Sequence, residues 1–123
     1  MNRNYTTGSM KETIGIRLNE LASEYVTLYF SEAQTEEYPY AVYTSPVTPV
    51  YTKDGIHHYE ASVTVTVFDK ILDQVNEISE HIRAAVIRNM NDGQYASRIE
   101  NDTTGCTDEV WSREFFFTIK QYR

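Results

Sequence analysis

The sequence predicts an α+β fold, a two-layer sandwich in which two helices pack on one face of a mixed or antiparallel β-sheet. Two segments, near residues 9–25 and 70–90, carry apolar residues at helical spacing. The segments between and after them alternate apolar and polar residues, as strands with one buried face do. Because two amphipathic helices cannot cover both faces of such a sheet, we expect both on the same face.

The first helix is predicted to begin at Ser9, since Ser9 and Glu12 have the spacing of a capping box. The preceding residues are polar and contain a glycine, which predicts a flexible N-terminal arm over 1–8. The remaining residues, 9–123, are expected to form one domain, because a chain of 123 residues suits a single core.

Three or four strands are expected before the second helix. The first two are YVTLYF at 25–30 and YPYAVYTS at 38–45. A hairpin follows, because Asp54-Gly55 is a strong two-residue turn signal. Pro46 and Pro49 weaken pairing before the turn and predict an edge strand or a projecting ribbon. The predicted order of elements is α-β-β-β-α-β-β, with three or four strands between the helices.

The return arm of this hairpin, HHYEASVTVTVFDK at 57–70, alternates almost without interruption. One face carries His57, Tyr59, Ala61 and three valines and suits a core beneath the helices. The opposite face mixes short hydroxyl-bearing side chains with isolated aromatics and charges: His58, Glu60, Ser62, Thr64, Thr66 and Phe68.

Asp69 is the predicted cap of the second helix, which Asn91-Asp92-Gly93 should end. A weak strand at 95–103, a polar loop at 101–109 and a strong strand at 109–123 complete the chain. The predicted core consists of Ile14, Leu18, Leu21, Val63, Val65, Ile71, Val75, Ile78, Ile82, Phe115, Phe117 and Ile119.

The net charge of −7 argues against tight binding of nucleic acid, because phosphate contacts need clustered Lys and Arg. The single cysteine, Cys106, permits no disulfide within the chain. The first residues have no apolar segment typical of a signal peptide. No apolar run reaches the roughly 20 residues that a membrane helix needs, so we expect no membrane association.

The residues with catalytic or metal-binding chemistry form no recognisable site. On a regular strand His57 and His58 point to opposite faces, and His58 with Glu60 supplies only two ligands. Cys106 lies in an acidic segment that opposes thiolate formation. Three acids near it, Asp102, Asp108 and Glu109, match no calcium loop. We therefore expect no cofactor, no metal and no enzymatic activity.

The mixed second face of the sheet then needs a different explanation. The final strand repeats it, with Trp111, Phe115 and Phe117 on one side and Ser112, Glu114 and Phe116 on the other. A plain solvent-facing sheet remains open as an interpretation. A surface that meets a neighbouring subunit, or that lines a shared channel, accounts better for the mixture.

The order of these segments resembles the tail terminator, or tail completion, proteins of long-tailed bacteriophages, a group that includes the terminator of phage lambda and many minor tail proteins. The resemblance rests on the N-terminal helix, YPYAVYTS and the ribbon turning at Asp54-Gly55. It continues through the long strand ASVTVTVFD, the helix ILDQVNEISEHIRAAV and the closing strand REFFFTIKQYR.

The resemblance implies a non-enzymatic virion protein that forms a hexameric ring at the head-proximal end of the tail. Its partners would be its own copies, the tail tube protein and the head-tail connector or neck proteins. Genomic DNA would pass through the lumen without specific binding. Related rings in phage necks can follow twelve-fold symmetry. Such a protein is made in the host bacterial cytoplasm and becomes part of the tail or neck.

In such a ring we expect the hairpin to project and contact a neighbour or the lumen. The predicted interface residues are Tyr51, Lys53, Asp54, His58, Tyr59, Glu60, Ser62, Thr64 and Thr66.

Three alternatives remain open at this point. One is another connector, stopper, neck or tail ring. The second is a small metal or thiol enzyme using His58, Glu60 and Cys106. The third is a binding domain whose edge strand recruits a peptide.

Overall fold

A computed structural model describes residues 7–35, 37–89 and 95–122. It has the predicted α+β class, with the helices and the sheet in two layers. Four strands, rather than three, precede the second helix, because both arms of the Asp54-Gly55 hairpin are full strands. The elements are α1 (Thr7–Ala22), β1 (Thr27–Phe30), β2 (Tyr40–Thr44), β3 (Val47–Thr52), β4 (Gly55–Asp69), α2 (Leu72–Asn89), β5 (Tyr95–Thr107) and β6 (Val110–Tyr122).

The six strands form one sheet in which β4 is the central element. Its spatial order is β1-β2-β4-β6-β5, with β3 also paired to β4. One edge of β4 holds β3 along its first half and β2 along its second half. The other edge pairs with β6 from His58 to Asp69. Only β1 and β2 run parallel, so the predicted mixed sheet is confirmed.

The core lies between this sheet and the two helices. Ten of the twelve predicted core residues are buried there, among them Ile14, Val63, Ile78 and Phe117. Leu21 is only partly buried against the core. Ile71 was wrongly assigned, since 58% of it is exposed. It precedes the first residue of α2, so the helical repeat that buries Val75 and Ile78 does not extend to it.

The ends of the helices differ from the capping predictions. Helix α1 begins at Thr7, which places Ser9 inside the helix rather than at its cap. It also takes in the last two residues of the predicted arm, whose other residues, 1–6, lie outside the described ones. Asp69 accepts the backbone N–H of Lys70 at 2.7 Å, before α2 begins. The predicted stop at 91–93 lies outside the described residues.

The predicted loop at 101–109 was also wrong, because strand β5 continues to Thr107. The chain reverses in two residues, Asp108 and Glu109, with φ values of 51° and 65°. Positive φ at both positions matches the tight hairpin turn that the twist of paired strands favours. The β-branched Thr103, Thr104 and Thr107 suit a strand despite their polar neighbours.

Helix α1 approaches the sheet closely at Gly15. A Cβ atom at that position would lie 2.5 Å from the hydroxyl oxygen of Tyr43 and 3.6 Å from its Cζ. Tyr43 is itself buried in the core, and burial raises the pKa of its hydroxyl. The glycine, which costs helix propensity, is therefore explained by the space that the tyrosine hydroxyl occupies.

We expect Gly15→Ala to destabilise the protein although alanine favours a helix, because the new methyl group meets the Tyr43 hydroxyl. In a Tyr43→Phe background the same change should instead stabilise by up to about 1 kcal/mol, the difference in helix propensity. Chemical denaturation of the four proteins of this double-mutant cycle measures both effects. Equal effects in the two backgrounds would contradict the steric explanation.

Candidate functional site

The face of the sheet opposite the helices is left uncovered by the described elements. We call it the outer sheet face. Along β4 its residues alternate with buried ones and are half-buried or exposed. The register brings Ser62 beside Thr118, Thr64 beside Phe116 and Thr66 beside Glu114. The outer sheet face comprises Tyr40, Val42, Thr44, His58, Glu60, Ser62, Thr64, Thr66, Phe68, Ser112, Glu114, Phe116, Thr118 and Lys120.

The chemistry of the outer sheet face is mixed along its whole length. The Thr66 hydroxyl donates to a Glu114 carboxylate oxygen at 3.4 Å. The Lys120 ammonium lies 3.7 Å from the Glu60 carboxylate. Between these two polar pairs lie hydroxyl groups and the half-buried ring of Phe116. Few charges and isolated aromatics are features that this surface shares with the interior of protein interfaces.

A row of aromatic rings closes one end of the outer sheet face. The Tyr38 and Tyr40 rings stack with centroids 5.3 Å apart, and Tyr40 stacks on Phe68 at 5.1 Å. The Lys70 ammonium lies 5.7 Å from the centroid of the Tyr38 ring. Burial, and then the charge and hydroxyl of Tyr38, raise the pKa of Tyr40. This row extends the apolar part of the surface to its rim.

Most of the predicted interface residues lie on exposed or half-exposed surface. His58, Glu60, Ser62, Thr64 and Thr66 are all on the outer sheet face. The tip of the β3–β4 hairpin exposes Tyr51, Lys53 and Asp54. Tyr59 differs, because its side chain is buried in the core beneath the helices. Their role in an interface remains a prediction.

The hairpin projects less than its prolines indicated. Strand β6 accompanies β4 as far as His58, and Pro49 pairs with Tyr59 inside the sheet. Val47 and Ile56 pack against the core. Only the tip, residues 51–57, extends past the β4–β6 pairs, so the expected projecting ribbon is confined to those residues.

The two adjacent histidines do not point apart as predicted. The register shifts between Val50 and Tyr51, whose partners are His58 and Ile56, so His57 is the extra residue of a β-bulge. A bulge disrupts the strict alternation of a strand. The His57 and His58 rings therefore meet edge to face, with Nδ1 atoms 2.7 Å apart. The bulge has no signal in the alternating sequence.

The other candidate ligands do not converge on a metal centre. Within residues 7–35, 37–89 and 95–122, no group of three or more His, Cys, Asp or Glu side chains could hold a metal ion. Cys106 is an exposed thiol on β5. Asp108 and Glu109 form the following turn, whereas the Asp102 carboxylate binds Arg113.

Arg113 links α2 to the sheet through a set of ion pairs that the sequence did not reveal. Its Nε and Nη2 atoms each donate to an Asp102 carboxylate oxygen at 2.7 Å. Nη2 also donates to Glu80 at 2.6 Å, and Glu80 accepts from Arg83 at 3.1 Å. The hydrogen bonds from Arg113 lower the pKa of both carboxyl groups. The two arginines and the two carboxylates balance each other's charges, and their contacts join helix α2 to strands β5 and β6 of the sheet.

We expect Arg113→Ala to destabilise the protein by about 1.5–3 kcal/mol at pH 7, the range for hydrogen bonds to charged groups. Most of this comes from Asp102, because the Glu80 side chain is 58% exposed and screened by water. Arg113→Lys keeps the charge but loses the paired hydrogen bonds to Asp102, so its stability should lie between those of the wild type and Arg113→Ala.

The same contacts determine a pH dependence. Both carboxyl pKa values are lower in the folded protein, so their contribution is present above the ordinary carboxyl range. It is lost as the pH falls through the lowered values. Denaturation at several pH values should therefore show the gap between wild type and Arg113→Ala shrinking on acidification. A gap independent of pH would contradict this assignment.

No helix among the described residues is long and apolar enough to cross a membrane.

Comparison with known proteins adds a structural relative. No family model and no curated protein matches the sequence. Among solved structures, 26 chains match. One of them belongs to the "virion of native gene transfer agent (GTA) particle". The fold is shared with a virion chain. The superposition has a TM-score of 0.70 and covers 98% of this chain and 100% of the other, at 9% sequence identity.

Proposed function

We propose that this protein is a structural, non-enzymatic component of a phage-like virion, and that it forms a ring at the head-proximal end of the tail as a tail terminator. The observation that carries the proposal is an uncovered sheet face of interface-like chemistry on a fold shared with a virion chain. The order of elements along the chain, which resembles the tail terminators, supports the finer assignment.

The outer sheet face supports assembly because its composition suits contact with protein. Ser62 at its centre is exposed, whereas Thr64, Phe116 and Thr118 beside it are half-buried. Such a surface, poor in charge away from Glu60, Glu114 and Lys120, loses little solvation when a second surface covers it.

The sheet edges permit assembly into a ring. Strands β1 and β3 lie along one edge and the 13-residue β5 forms the other, so the two edges differ in length and sequence. Long open edges invite pairing with another chain. A contact between two unlike surfaces of identical copies repeats around an axis and closes as a ring when the rotation permits.

The acidic charge fits a channel for DNA. The net charge is −7, so a lumen lined by this protein would repel phosphates rather than retain them. Genomic DNA would pass without specific binding. The other partners would be the tail tube protein on one side and the connector or neck proteins on the other, within an assembled virion.

A neighbouring ring of the same particle is the second candidate, because the same outer sheet face and edges would serve a connector, stopper or neck ring. The number of copies in the ring distinguishes a tail terminator from a neck ring. A terminator should form six-fold rings, and a neck ring that follows the portal should form twelve-fold rings.

The native mass tests the proposal. Size-exclusion chromatography with light scattering, at increasing protein concentration, should show a discrete oligomer, and negative-stain images should show rings. Since some rings assemble only on a tube, joining to purified tail tubes is the companion assay. A monomer at high concentration that also fails to join tubes would refute the assignment.

A further inference from the structure

An open groove lies where helix α1 crosses the end of β2, and we call it the α1 groove. Its volume is about 520 Å³, and Gly15, Ile16 and Tyr43 line it. Ile16 is 54% exposed. Phe30, whose ring meets that of Tyr43 edge to face with centroids 5.3 Å apart, is 59% exposed. Two large apolar side chains that are more than half exposed around one groove indicate a surface that another molecule covers.

The rim of the α1 groove is acidic. Glu12 and Glu20 both line it and are exposed. Each is four residues from Ile16 on the same helix, so each lies about 6 Å along the helix axis from the apolar centre. The amide of Asn19, which also lines the groove, donates to the Gly15 carbonyl at 2.8 Å. The groove therefore suits a ligand that brings a large apolar side chain to its centre and a positive charge to one end.

The tip of the β3–β4 hairpin carries such a pair of side chains. Tyr51 is 66% exposed, and Lys53, two residues further on, is also exposed. Two residues of extended chain span about 6.6 Å, which is close to the distance along α1 between Ile16 and either glutamate. In the part of the chain that the structure describes, neither Tyr51 nor Lys53 lines the groove of its own chain.

We propose that the hairpin tip of one copy docks in the α1 groove of a second copy, with Tyr51 against Ile16 and Lys53 beside Glu12 or Glu20. The inference rests on the proposed function, since it names a contact between copies in the ring, in addition to that of the outer sheet face. A tip and a groove on different parts of one chain make a head-to-tail contact, which repeats around an axis and closes when the rotation permits.

The apolar and charged parts of this contact have different roles. An aromatic side chain that is covered on docking contributes most of the affinity at such a centre. The lysine and the two glutamates lie on exposed surface, where an ion pair adds little energy, so they chiefly orient the tip in the groove.

Cross-linking tests the contact without requiring a closed ring. In a Cys106→Ser background, a Tyr51→Cys chain is mixed at high concentration with an Ile16→Cys chain and treated with a short bismaleimide. Mass spectrometry should find mixed dimers in excess of either homodimer. Both positions are more than half exposed, so the variants should fold, and thermal unfolding checks this. Ile87→Cys, at a position of equal exposure on α2, is the matched control and should give no excess of mixed dimers with Tyr51→Cys.

Charge reversal tests the orientation. Tyr51→Ala should weaken association about tenfold or more, as truncation of a central aromatic side chain does. Lys53→Glu should weaken it at least about threefold through like-charge repulsion, and Glu12→Lys/Glu20→Lys in the same chain should restore it. Asp54→Asn removes the carboxylate of the tip but suits the same turn, so it should not weaken association.

The outcomes separate this contact from the ring itself. Rings that form while Tyr51→Cys and Ile16→Cys give no excess of mixed dimers would overturn the docking and leave the proposed function standing. Mixed dimers from a protein that never forms rings or joins tubes would support the docking and refute the ring. Equal cross-linking to Ile87→Cys, or a charge reversal that the compensating changes do not restore, would also overturn the docking.

Discussion

A Ser62→Arg variant should fold as the wild type does and fail to form rings or to join tail tubes. Ser62 is exposed at the centre of the outer sheet face, so an arginine there meets water in the isolated chain. In an assembled ring the same side chain would be buried without a partner. Removing a charge from water in this way costs several kcal/mol, which is enough to abolish a weak, repeated contact.

Light scattering and tube joining measure the effect, with circular dichroism and thermal unfolding as folding controls. Gln74→Arg is the matched control, because Gln74 is exposed on α2, in the other layer. It should assemble normally. If Ser62→Arg assembles and a Tyr51→Ala/Lys53→Ala variant does not, the hairpin tip and not the outer sheet face forms the contact.

An Ile78→Ala variant should lose about 2–5 kcal/mol of the free energy of unfolding, as large-to-small changes in a core do. Ile78 is 5% exposed and packs α2 onto the sheet. Its removal leaves a cavity between two rigid layers that cannot easily collapse.

Urea denaturation gives the free energy directly, and two isoleucines serve as controls. Ile87 lies on the same helix and is 53% exposed, and Ile71 just before it is 58% exposed. Alanine at either should cost no more than about 0.5 kcal/mol, the range for surface positions. A similarly small loss at Ile78 would mean that the buried side of α2 is misassigned.

The periodic parts of the chain could be predicted from sequence alone. The alternation of Val63, Val65 and Val67 with Thr64 and Thr66 fixed both faces of β4, because a two-residue period has only one arrangement against a core. The helical stripe of α2 was equally informative from Val75 onwards. These elements extend over many residues, so single departures do not hide the pattern.

The local departures could not be predicted, and each has a physical cause. The polar segment around Asp102 and Thr104 read as a loop, but pairing with β6 and the Arg113 contacts hold it as a strand. The bulge at His57 leaves no trace in residue type, since it arises from register against β3. Helix ends shifted by two or three residues, the usual imprecision of local signals.

The site was predicted in part. Alternation placed Ser62, Thr64 and Thr66 on the outer sheet face. It could not reveal that Arg113, 11 residues from Asp102 in sequence, binds carboxylates of both β5 and α2. Long-range ion pairs depend on the sheet register, and a single sequence does not encode that register in any short pattern.

The central place of β4 has a consequence for hydrogen exchange. Its amides from Thr64 to Val67 lie between paired neighbours on both edges, so their exchange with solvent should require opening of most of the domain. Three strands, β1, β3 and β5, are each paired on one edge only and should exchange their outward amides rapidly. The slowest protons would therefore mark a rigid axis, and the fastest would mark the two margins left free to adjust when another chain docks.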